Sequence, residues 1–301
     1  MKILLALFLL FSWVHFLFAD ETRSLQTNEV EVLYLESQNR ISQEVAALYP
    51  IVRYELELDF GWTIDFRPVV VLADNTERFR SMTGSDVVIA LADPGRNLIV
   101  LDTARVYTKP FTLKTTLKHE VCHLLLHRHI ESGNLPRWLD EGVCQWASGG
   151  ISELMAEPGG RGLANAVISG RLITIRALES FPQDDRNLVL AYEESKSFIE
   201  FIESTFGKEG IVSLLRHLKE RRPIDESIQG ALDLSMFELE SRWHASLKTK
   251  YTWVSYLSSH LYTILFVFAT FVMVYGFFRF LKRKKAYVDE EESDESRNQE
   301  L

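Results

Sequence analysis

Apolar positions change period several times along this chain, and each change marks an element. Across residues 28–54, Val30, Val32, Leu33, Leu35, Ile41, Val45, Leu48 and Ile51 suit one or two helices, with Pro50 at an end or bend. Three strand-like runs come next. Residues 67–72 read as a buried strand closed by Ala73-Asp74-Asn75, and residues 86–91 and 97–101 read as a hairpin around the turn Asp93-Pro94-Gly95-Arg96. Over residues 112–128 the period becomes helical again: Leu113, Leu117, Val121, Leu124 and Leu125 line one face, and the histidines lie off it. Another helix starts near Pro136. Beyond the glycine break at Gly149, Gly150, Gly159 and Gly160, helical patterns cover 191–206, 208–220 and 235–248, the last opened by a capping box of Ser235 with Glu238. The pattern is that of an α+β domain, with a small sheet in the N-terminal part and a mainly helical C-terminal part.

The two ends obey other rules. Lys2 precedes an apolar run from Ile3 to Phe18 and the small residue Ala19, the layout of a secretory signal peptide over residues 1–19. Leu17 makes the cleavage signal imperfect, so an uncleaved anchor is the other reading; both place the central domain on the exported side. Near the C-terminus, residues 251–278 hold no Asp, Glu, Lys or Arg, which predicts a transmembrane helix over 256–280. Arg279, Lys282, Arg283, Lys284 and Lys285 then make a basic flank of the kind found on the cytoplasmic side, and Tyr251, Trp253 and Tyr256 suit the opposite interface. Residues 281–301 form a basic, then acidic, cytoplasmic tail. The exported domain covers 28–248.

Charge narrows the partners. The chain carries 33 Lys and Arg against 42 Asp and Glu, without a basic stripe, which argues against nucleic acid. The absence of an Asn-x-Ser/Thr sequon leans towards a bacterial envelope. Cys122 and Cys144 are too few for a disulfide scaffold; two buried thiols are the plainer reading, and a bridge between them is the alternative.

The chemistry is concentrated in His119-Glu120-Val121-Cys122-His123, an HExxH pattern. On a helix, residues four apart share a face, so both imidazoles can meet one ion while Glu120 stands beside it to take a proton from water. Zinc suits such a site because it accepts imidazole and carboxylate and needs only three protein ligands for catalysis. Two residues compete to be the third. His129 lies where the metzincin pattern has its last histidine, but that pattern needs a glycine at 126 to turn the chain, and Leu126 stands there. Glu141 lies in Trp138-Leu139-Asp140-Glu141-Gly142, eighteen residues after His123.

That segment resembles the WLxEG helix of the gluzincins, the metallopeptidase class of thermolysin and the aminopeptidases, and the resemblance selects Glu141. Asp140 then either orients a ligand histidine or is a solvated acid at a helix start. His127 is read as a helix-end residue rather than a ligand. More widely, residues 28–246 resemble the peptidase MA-like domains. Their zincin-like fold implies that peptide backbone lies along the strand before the HExxH helix, here about 97–101, and that Tyr192 of Ala191-Tyr192-Glu193-Glu194-Ser195 donates its hydroxyl to an oxyanion. Its plainer role is a packed aromatic. The Gly-x-Met-Glu-Asn segment of aminopeptidases is absent.

The expectation is therefore a membrane-anchored zinc metallopeptidase of gluzincin type acting on peptide or protein substrates. His119, His123 and Glu141 are its metal ligands and Glu120 its general base. The rival expectation is a silent peptidase fold serving as a binding or assembly scaffold. Substrate, cleavage mode and oligomeric state are not legible.

Overall fold

A computed structural model describes residues 22–85, 87–149, 161–182 and 184–298. The expected signal peptide and Gly150, Gly159 and Gly160 lie outside the described residues. The chain divides into two compact units, Met1–Ala245 and Ser246–Leu301.

The first unit is built on a five-stranded mixed sheet. Strands β1 (Thr22–Gln26) and β2 (Glu31–Leu35) pair antiparallel, β2 and β3 (Val69–Ala73) parallel, β3 and β5 (Leu98–Asp102) parallel, and β5 and β4 (Ala90–Asp93) antiparallel. The order is β1-β2-β3-β5-β4. Central β3 and β5 are apolar almost throughout because both their faces are covered, and Val70, Ile99 and Leu101 are fully buried. At the end of β5, buried Asp102 receives Thr76 Oγ1 at 2.8 Å and Arg105 Nε at 2.6 Å, while Arg105 also bonds the Val88 carbonyl.

Three expectations change here. Residues 31–35 are strand rather than helix: Val32 and Tyr34, like Val30 just before them, are buried while the residues between are less so, a period of two that the apolar Leu33 and Leu35 disguised. Helix α1 (Asn39–Phe60) runs straight through Pro50. Its buried face, Val45, Tyr49, Val52, Leu56 and Phe60, continues on both sides of the proline, so packing outweighs the local penalty. The hairpin's first strand is β4, starting at Ala90; Asp93 to Arg96 form the turn as expected, with Asn97 left-handed at φ 50°.

Helix α2 (Thr76–Thr83), not expected from the pattern, is capped by Asn75 Oδ1, which accepts from Arg78 N. Helix α3 (Leu113–His129) opens at Thr112, whose Oγ1 accepts from Thr115 N while Thr115 Oγ1 accepts from Thr112 N. Helices α4 (Arg137–Ala147), α5 (Arg161–Ser169), α6 (Asp185–Lys219) and α7 (Ile224–Leu232) come after it. Gly207, at φ 72° and ψ 176°, breaks α6 where the pattern separates 191–206 from 208–220. Helix α8 (Met236–Asn298) starts with the expected Ser235–Glu238 capping box.

In the second unit, α8 contains His260–Lys282, 23 residues of mean hydropathy 2.1 with none of that window buried. At 1.5 Å per residue it is about 34 Å long, enough to cross a hydrocarbon core of about 30 Å.

Candidate metal centre

Helices α3 and α4 pack side by side, and each contributes one part of the site. On α3, His119 and His123 are one turn apart and both buried, with Glu120 fully buried between them in sequence. On α4, Pro136 occupies the cap with φ −64°, and Glu141 stands one turn into the helix, fully buried. Gly142 explains how α4 comes so close to α6. A Cβ there would stand 2.6 Å from both Ser195 O and Ile199 Cγ1, so only glycine allows the approach. Cys122 and Cys144 are joined in a disulfide that ties α3 to α4, against the plainer expectation of two thiols. Their Cα atoms are 5.4 Å apart, a proximity that depends on how the helices pack and so was hidden from the sequence.

Three donor atoms converge. His119 Nε2 and His123 Nε2 are 3.1 Å apart, and each is 3.6 Å from Glu141 Oε2. Corners of a tetrahedron drawn with zinc–nitrogen bonds of about 2.0–2.1 Å are about 3.4 Å apart, so the triangle suits that ion. Two further observations fit. Glu141 Oε2 is buried without a hydrogen-bond partner. His123 Nδ1 lies 2.7 Å from Asp140 Oδ1, a contact that suits a proton on Nδ1 and leaves Nε2 as the ring nitrogen that would meet a metal. These residues could hold a metal.

Asp140 is thus buried and shared: its Oδ2 also meets His127 Nε2 at 2.9 Å. Of the two expectations for Asp140, orienting a histidine is the one observed. Burial alone would depress the His123 imidazole, but the Asp140 and Glu141 carboxylates overcome it and raise it well above its ordinary value. Burial alone would likewise raise Asp140 and Glu141, yet both are lowered. Asp140 is held down mainly by His123, and Glu141 by His123 and Arg137.

His129 is elsewhere. Its Nε2 faces the Thr63 carbonyl at 3.1 Å and its ring packs on Trp62. Tyr192 does come to the site, from α6. Its ring belongs to a cluster with Val71, Phe79, Val88 and Val100, and its hydroxyl donates to Glu141 Oε1 at 3.3 Å. A second neighbour was missed. Arg137 contacts Glu141 Oε1 at 2.6 Å, one turn before it on α4, a pair that the four-residue charge spacing in the sequence could have flagged.

The expected peptide edge must be moved. Strand β5 is paired on both sides, by β3 and β4, so residues 97–101 offer no open backbone. Among the described residues the sheet's edges are β1 and β4, and β4, Ala90–Asp93, is the one that lies next to α3.

Residues 88–249 match the Peptidase MA superfamily, more than half of the chain. The chain belongs to the Peptidase MA superfamily. The matched stretch holds α3 and α4, Tyr192 and the β4–β5 hairpin, while β1, β2 and β3 of the same sheet precede it. No curated protein is similar enough to this Peptidase MA chain to count as a match.

Proposed function

We propose that this chain is a zinc-dependent peptidase of the gluzincin type, anchored by its C-terminal helix with the catalytic domain on the exported side and the basic flank in the cytoplasm. The observation that carries the reading is the triangle of His119 Nε2, His123 Nε2 and Glu141 Oε2, with edges of 3.1, 3.6 and 3.6 Å. A zinc ion held there supplies Lewis-acid polarisation and a water acidic enough, with a pKa of about 7, to react at neutral pH. Glu120, the next residue after His119 on α3, takes the proton from the attacking water and passes it to the leaving amine. The Tyr192 hydroxyl, which donates to Glu141 Oε1 at 3.3 Å, is the donor proposed for the oxyanion once its single proton turns from that carboxylate. Peptide backbone adds along the open edge of β4, beside the helix that carries both histidines.

The test is a peptide-library digest by the full-length protein in detergent. Cleavage should stop on adding a metal chelator and return with zinc. Glu120→Gln should lower it about 10²- to 10⁴-fold while metal content stays at one ion per chain. Cleavage that survives both treatments would sink the proposal.

A further inference from the structure

The two oxygens of Glu141 have different surroundings. Oε2 lies 3.6 Å from each of the two imidazole nitrogens, whereas Oε1 meets two donors, Arg137 Nη2 at 2.6 Å and Tyr192 Oη at 3.3 Å. Arg137 is the shorter contact and the charged one. It is also supported: its guanidinium lies 5.7 Å from the Phe181 ring centre, and Phe181 packs edge-on against Tyr192 at 5.0 Å. The pair joins a side chain that is 47% exposed to a carboxylate that is 0% exposed, so the anion, out of water, depends on its partners. Lys196–Glu200, at the same spacing on α6, shows the ordinary alternative: a 3.7 Å pair in which neither side chain is buried.

The asymmetry matters for a catalytic metal. A carboxylate can bind an ion through one oxygen or through both, and the second oxygen takes up the coordination position that water needs. With Oε1 engaged by a cation, Glu141 presents Oε2 alone. We propose that Arg137 is a positioning residue that restricts Glu141 to one metal-facing oxygen and so keeps a coordination position open. This rests on the reading of His119, His123 and Glu141 as metal ligands.

The experiment loads the full-length protein, in detergent, with cobalt(II) in place of zinc and records metal content, the visible spectrum and thermal unfolding. The wild-type protein should show the intense band of a four-coordinate ion. In Arg137→Met, which keeps an unbranched stem for Phe181, the second oxygen loses its charged partner and keeps only the longer Tyr192 contact at 3.3 Å. One cobalt per chain should remain bound, but the band should fall by about half or more as coordination increases. If Arg137→Met does not fold, Arg137→Gln carries the same comparison. Arg137→Lys, which retains a charged donor, should recover part of the band. A variant that binds cobalt with an unchanged wild-type band overturns the proposal, as does one whose only change is lower melting temperature or metal content. Wild-type protein that takes up no cobalt overturns the metal reading itself and the proposal with it, an outcome distinct from an unchanged band.

Discussion

His123 Nδ1 lies 2.7 Å from Asp140 Oδ1, and the same carboxylate meets His127 through its other oxygen at 2.9 Å. One buried acid on α4 therefore bonds two histidines that stand one turn apart on α3. Asp140→Asn keeps an acceptor but loses the charge that makes His123 a strong donor. Zinc affinity, measured by competition with a chromophoric chelator, should fall about 10- to 100-fold with the fold intact. Unchanged affinity would remove Asp140 from the site.

Gly142 places α4 against α6 at a separation that leaves no room for a side chain, and one of the atoms in the way is the Ser195 carbonyl oxygen, which cannot rotate aside. Gly142→Ala should destabilise the protein by about 1–3 kcal/mol, read from urea unfolding, and should weaken metal binding as Glu141 moves with its helix. A neutral effect on both measurements would contradict the packing described.

The Cys122–Cys144 bridge closes a loop with a sequence separation of 22 and joins the two helices that carry the three donor atoms. Replacing both cysteines by alanine should cost about 3 kcal/mol of stability. The oxidised wild type should lose a similar amount when unfolded in the presence of a dithiol, and the double variant should not respond to that reagent. Equal stability with and without reductant in the wild type would show that the bridge contributes nothing.

Glu194 should make stability fall as pH rises. Burial pushes its carboxyl from an ordinary 4.5 to about 8, opposed in part by the Ile173 N–H that it accepts at 3.0 Å. Below pH 4.5 the group is protonated in both the folded and unfolded chains and contributes no pH dependence. Between 4.5 and 8 the unfolded chain loses the proton and the folded chain keeps it, so stability declines by up to about 1.4 kcal/mol per pH unit. Glu194→Gln, which retains an acceptor for Ile173, should flatten that decline in urea titrations at pH 5 and pH 8. An identical slope in wild type and variant would show that Glu194 is ionised in the folded protein.

The features that the sequence determined by itself are those that depend on neighbours within a turn or two. His119 and His123 share a helix face because they are four apart, Thr112 and Ser235 cap the helices they precede, Gly207 breaks α6, and the apolar window in α8 is long enough to span a bilayer. Backbone periodicity and local hydrogen bonds settle such features before any tertiary contact forms. Where a local signal had two readings, the surface it met decided: residues 31–35 became strand because β3 was there to pair with, and α1 continued past Pro50 because its apolar face was buried on both sides. Tertiary structure alone decided the rest. That β4 rather than β5 is an open edge, that Asp140 reaches His123, that Arg137 and Tyr192 share one oxygen of Glu141, and that Cys122 meets Cys144 all result from how α3, α4, α6 and the sheet pack together. Those are distances between residues on separate elements, and no period along a chain encodes them.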